Sequence, residues 1–146
     1  MLRRLSLACL ILVLPLAAWS DGPSVRASHV WIRQAPPGVT VLAGYLTLDN
    51  LTDKPLTLSG VSSPEFGAVE LHKSTVKDNI ESMEPVESVD LAAHGSVEFK
   101  PGGYHVMLMQ PKKNLFSGDI VTLDLKFSDG SELAIMAPVR RDPPAH

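Results

Sequence analysis

Beyond Ser20 the chain has no sustained run with apolar residues every three to four positions. Short segments alternate apolar and polar side chains and stop at proline, glycine or Asx turns. Alternation of period two is the mark of strands, so the pattern predicts an all-β sandwich or barrel. The expected strands cover 25–33, 41–49, 56–61, 68–73, 83–89, 96–100, 104–109, 121–127 and 133–137. His29 and Trp31 fall two apart on one face of the first. In the second, Leu42, Leu46 and Leu48 oppose Val41, Ala43, Tyr45 and Thr47, which predicts cover on both faces. The last pair is the clearest: Val121, Leu123, Leu125 and Phe127 alternate with Thr122, Asp124 and Lys126 before an Asp129-Gly130 hairpin turn.

The first twenty residues break this pattern. Arg3 and Arg4 precede an apolar run from Leu5 to Ala18, and Ala18-Trp19-Ser20 places small residues at the −3 and −1 positions of a signal-peptidase site. Fourteen residues interrupted by Pro15 fall short of the roughly 20 that span a bilayer. The segment reads as a cleaved signal peptide (1–20), with an uncleaved anchor as its rival. No membrane span is expected after cleavage. The expected domain covers 21–139, followed by a polar tail at 140–146.

Processing changes the composition in a useful way. The full chain has 146 residues, 45% hydrophobic and 20% charged, with a net charge of −3. That length supports one core. Without residues 1–20 there remain 126 residues, a net charge of −5 and no cysteine at all. Thiol redox chemistry, cysteine nucleophiles, thiolate zinc sites and cysteine-ligated blue copper are therefore excluded. The acidic balance argues against a nucleic-acid partner.

What remains for metal chemistry is histidine, methionine and carboxylate. His94 lies in an expected turn, His29 reads as a packed or rim residue, Met136 as core filler, and His146 ends the tail. Four residues stand apart. His105 and Met107 are i and i+2 on one expected strand, hence on one face about 7 Å apart. His72 and Met83 lie on two further strands, with ten residues between them. Residue types alone favour two edge histidines and two buried methionines that never meet. Were they to meet, two imidazoles and two thioethers would form a neutral, soft donor set that suits Cu(I) and serves zinc, calcium or magnesium poorly. Thioethers bind without deprotonation and form no disulfides in an oxidising compartment.

The spacing His72-x10-Met83-x21-His105-x-Met107, with Val69-Glu70-Leu71-His72, with Pro101-Gly102-Gly103-Tyr104 before His105, and with Trp31 and Arg33 upstream, resembles the PCu(A)C family of bacterial copper chaperones. The resemblance spans about 31–139. It implies a single-domain, cupredoxin-like Greek-key β-sandwich that is not an enzyme. It further implies one Cu(I) ion held by His72, Met83, His105 and Met107 near one end, and a periplasmic, monomeric protein. Delivery would be to the Cu(A) centre of cytochrome c oxidase subunit II or to other copper assembly proteins. Lys73 to Ser82 lacks the additional methionines many relatives carry, and the short tail offers no second copper site. Met109 shares the face of Met107 and reads either as a reserve ligand or as packing. Glu70 reads as an acceptor that orients His72 or as a solvated carboxylate, and Gly102-Gly103 as a tight turn before the ligand strand.

Two other functions fit the composition: a metal-free β-sandwich adaptor for a periplasmic protein partner, and a copper electron carrier or enzyme. The second is the weaker, since a mature chain without cysteine cannot build a cysteine-ligated blue site.

Overall fold

The computed structural model describes residues 23–145; the expected signal peptide and His146 lie outside the described residues. Among the described residues there are ten strands and no helix. They are β1 (Val25–Arg33), β2 (Val41–Asn50), β3 (Leu56–Ser62), β4 (Phe66–Lys77), β5 (Ile80–Pro85), β6 (Val89–Leu91), β7 (Ser96–Phe99), β8 (Tyr104–Pro111), β9 (Ile120–Phe127) and β10 (Glu132–Arg140). Hydrogen bonding links them in the order β5-β4-β8-β7-β2-β1-β10-β9-β3-β6, with β2 also pairing β8.

The join between the two halves is short. β1 and β10 run parallel and share only the pairs Ile32–Val139 and Arg33–Arg140. Around that join the layer containing β4, β8 and β2 folds onto the layer containing β9, β3 and β6. Leu42, Leu46, Leu48, Leu71, Val106 and Leu108 from one inner face meet Leu58, Leu91, Val121, Leu123 and Leu125 from the other. Each such side chain contributes about 1.5–3 kcal/mol when withdrawn from water. The result is the β-sandwich expected from the alternation. Gly44 sits opposite Val106 on β8, where a Cβ would make ordinary contact with Val106 at 3.4 Å and Leu108 at 3.5 Å.

Met136, expected as core filler, is instead exposed on β10, and four further differences from the sequence expectation have local causes. The expected 83–89 strand is two strands in different layers. β5 pairs β4, whereas β6 pairs β3; the Val86 N–H still donates to the Leu71 carbonyl of β4 at 2.8 Å, and the chain crosses between the layers beyond it. β4 runs on to Lys77 because Asp78 and Asn79, at φ 54° and 61°, make a two-residue turn that brings Ile80 opposite Lys77. Two successive left-handed residues match the twist of a hairpin. β10 continues past Ala137 to Arg140 because its end pairs β1. In β1, a bulge between Ser28 and Trp31, with His29 at φ 50°, breaks the simple alternation expected there.

Candidate metal centre

β4 lies between β5 and β8, and their registers determine which side chains can meet. His72 is directly opposite His105, Glu70 opposite Met107, and Ser74 opposite Met83. Directly paired residues share a face, and residues two along a strand share it as well. His72, Met83, His105 and Met107 therefore all occupy one face, with Glu70 and Ser74. Leu71, Val106 and Leu108 point the other way into the core. His72 is the hub. It faces His105 across one ladder and lies one diagonal step from Met107 and from Met83.

The rings of His72 and His105 are 5.7 Å apart. Met83, His105 and Met107 line a common cavity of about 250 Å³ with Arg33, Tyr45, Ser74 and Glu81, whereas the buried His72 ring is beside His105 but not among the lining residues. The four donors differ in exposure: His72 and His105 are 8% and 6% exposed, whereas Met83, on edge strand β5, is 56% exposed. Two buried imidazoles thus sit beside a thioether open to solvent. Met109 shares the strand face of Met107 but does not line the cavity.

The polar neighbours orient both rings. His72 Nε2 lies 2.8 Å from a carboxylate oxygen of Glu70. Since an ionised carboxylate only accepts, this nitrogen is the donor. His72 Nδ1 is buried without a hydrogen-bond partner, the one such side-chain nitrogen or oxygen among the described residues. An unpartnered buried polar atom costs about 1–3 kcal/mol, a cost that a bound cation would remove. His105 Nδ1 is 3.3 Å from the Gly103 carbonyl. Gly103 is the last residue of a turn over 100–103, with Pro101 at its second position, Gly102 at φ 80° and the Gly103 N–H donating to Lys100. The same carbonyl accepts from the Ser74 N–H at 3.0 Å, tying the turn to β4.

Burial, with the neighbouring His72 ring, pushes the His105 imidazole below its usual range, against the opposing pull of the Gly103 carbonyl and Glu81. A buried imidazole held neutral keeps a lone pair free. Among the described residues no group of three His, Cys, Asp or Glu side chains is arranged to hold a metal ion. The two imidazoles and two thioethers on this face form a neutral, soft donor set of the kind that suits copper better than zinc or calcium.

The strand alternation of β2 gave no sign that Tyr45 would wall the cavity. Tyr45 stacks on Trp31 at 5.0 Å, and the Arg33 guanidinium lies 5.6 Å and 5.7 Å from the two ring centres. Burial raises the Tyr45 hydroxyl above its usual range, with Arg33 opposing and Glu81 reinforcing. The pairing of β2 with β8 that sets Ala43 beside Met107 joins residues too distant in sequence for periodicity to reveal.

This fold is that of the PCuAC domains. A copper-bound PCuAC domain from PmoF2 aligns at a TM-score of 0.69 with 27% identity, over 82% of this chain and 95% of that domain. The Cu(I) form of DR1885 from Deinococcus radiodurans aligns at 0.68 with 29% identity, over 85% of this chain and 83% of its own. Residues 25–139 match the family described as "Putative lipoprotein LpqE-like", and the chain belongs to that family. Its relatives include "Putative lipoprotein Lxx21020" of Leifsonia xyli subsp. xyli, 30% identical over 87% of this chain and 78% of the relative. "Uncharacterized protein RP573" of Rickettsia prowazekii is 32% identical over 84% of this chain and 71% of the relative.

Proposed function

We propose that the chain is a periplasmic Cu(I) chaperone, not an enzyme, which carries one copper ion on His72, Met83, His105 and Met107 and releases it by ligand exchange. The observation that carries this reading is the common face of the four donors across three adjacent strands. The copper-bound and Cu(I) states of the similar PCuAC domains support the choice of cargo. Lipoprotein descriptions among the relatives support export.

The difference in exposure supplies a mechanism. Two buried imidazoles hold the ion while an incoming donor displaces the Met83 thioether, which lies on the open edge strand. Because all four ligands are neutral, the displaced thioether leaves without taking up a proton. The Cu(A) centre of cytochrome c oxidase subunit II, or an assembly protein that serves it, is the recipient in this reading.

Titration of the protein with Cu(I) against a competing chelator, followed by mixing with an apo Cu(A) domain, tests it. One retained equivalent that moves to the Cu(A) domain supports a chaperone. Absence of retention supports a metal-free adaptor, and retention without transfer contradicts the delivery role.

A further inference from the structure

Two imidazoles in one site present four ring nitrogens, and the surrounding groups distinguish them. The Glu70 carboxylate is 2.8 Å from His72 Nε2, leaving Nδ1 buried and without a protein partner. At His105 the arrangement is reversed, with Nδ1 against the Gly103 carbonyl. Both the carboxylate and the carbonyl accept only, so each holds a proton on the nitrogen it contacts and leaves the opposite nitrogen with its lone pair.

We propose that Glu70 is a positioning residue that makes Nδ1 the copper-binding nitrogen of His72, while the Gly103 carbonyl makes Nε2 the copper-binding nitrogen of His105. This inference rests on the copper-carrier reading above and deepens it. Glu70 suits the task because of its register. It is two residues before His72 on the same face and directly opposite Met107, so one carboxylate borders the imidazole from β4 and the thioether from β8. Its own side chain is 51% exposed, so it can be removed without opening the core. The unequal use of the two rings also has a geometric consequence. An ion bound through Nδ1 lies nearer the backbone of β4 than one bound through Nε2, whereas the Nε2 of His105 reaches farther from β8. The ion is thereby drawn towards β4, the strand adjacent to the edge strand that carries Met83.

Long-range ¹H–¹⁵N correlation spectra of the metal-free, isotope-labelled protein at neutral pH read the tautomers directly. The expected result is Nε2–H at His72 and Nδ1–H at His105, with Cu(I) then shifting His72 Nδ1 and His105 Nε2. Glu70→Ala should mix the His72 tautomers and weaken Cu(I) binding by about 10- to 100-fold, the usual consequence of losing a group that orients a metal ligand. Glu70→Gln, whose amide oxygen still accepts, should restore the tautomer and most of the affinity. Thermal unfolding should be nearly the same for all three proteins. Nδ1–H at His72 in the wild type, a copper shift at His72 Nε2, or an unchanged tautomer in Glu70→Ala would each overturn the proposal. If copper does not bind at all, the carrier reading fails, yet the metal-free tautomer of His72 still decides the role of Glu70.

Discussion

His72 stands directly opposite His105 across the β4–β8 ladder, their rings 5.7 Å apart, and the two sulfur donors lie one diagonal step from His72 on either side. The long gaps in the donor spacing are the sequence image of these registers. Ten residues separate His72 from Met83 because β4 turns tightly into β5, and His105 returns to the same face only after the chain has visited the other layer as β6.

Met83 should be separable from the fold. Its strand is exposed along all six residues, so Met83→Ala is expected to change stability by less than about 0.5 kcal/mol. Cu(I) affinity should fall at least about tenfold, no less than the loss of a group that merely orients a ligand. Chelator competition and thermal denaturation on the same preparations measure both. A large loss of stability, or copper retained at wild-type strength, would count against its assignment as an exposed ligand.

The two-residue turn at Asp78-Asn79 sets which face Met83 occupies. Adding one glycine between them should shift the β5 register by one residue and turn Met83 to the opposite face. Copper affinity should then drop to the level of Met83→Ala although all four donors are still present. Asn79→Gly, which accepts the left-handed backbone, should bind like the wild type.

Acid should weaken the metal-free fold through His105. Burial is the main reason its imidazole lies below the ordinary value of 6.5. Between the lowered value and 6.5 the unfolded chain binds more protons than the folded chain. The contribution is thus complete above about pH 6.5, declines as pH falls, and stops changing below the lowered value. Denaturant unfolding at a series of pH values should show this decline, and His105→Ala should flatten it. Parallel curves for the two proteins would mean that His105 is not desolvated as described.

Met109 provides the control. It lies on the face of Met107 but opposite Ala68, one step farther along the ladder from His72, so Met109→Leu should alter Cu(I) affinity by less than about twofold, since volume-conserving swaps leave packing nearly intact. A loss comparable to that of Met107→Leu would make it a ligand.

Much of this was legible from residue order alone. Alternation located the core side of β9 and placed Leu42, Leu46 and Leu48 of β2 together in the core, although the opposite face of β2 is only partly covered, with Tyr45 buried and Val41 exposed. The His105-x-Met107 pair shares a face through the same period of two. The meeting of these two with His72 and Met83 was not legible from periodicity. It depends on two registers, and the β4–β5 register follows from two left-handed residues, Asp78 and Asn79, with no glycine to announce them. The 83–89 segment reads as one strand since its apolar residues continue past Pro85, whereas the chain changes layers between Val86 and Val89. Arg33, Tyr45 and Glu81 were missed as cavity residues because contacts between distant strands leave no local pattern.

X-ray absorption at the copper edge of the loaded protein addresses the donor set most directly. The expected spectrum is that of Cu(I) with both nitrogen and sulfur neighbours, and the sulfur contribution should vanish in the Met83→Ala/Met107→Ala double variant. A shell of nitrogen and oxygen alone in the wild type, or sulfur scattering that persists in the double variant, would contradict the assignment.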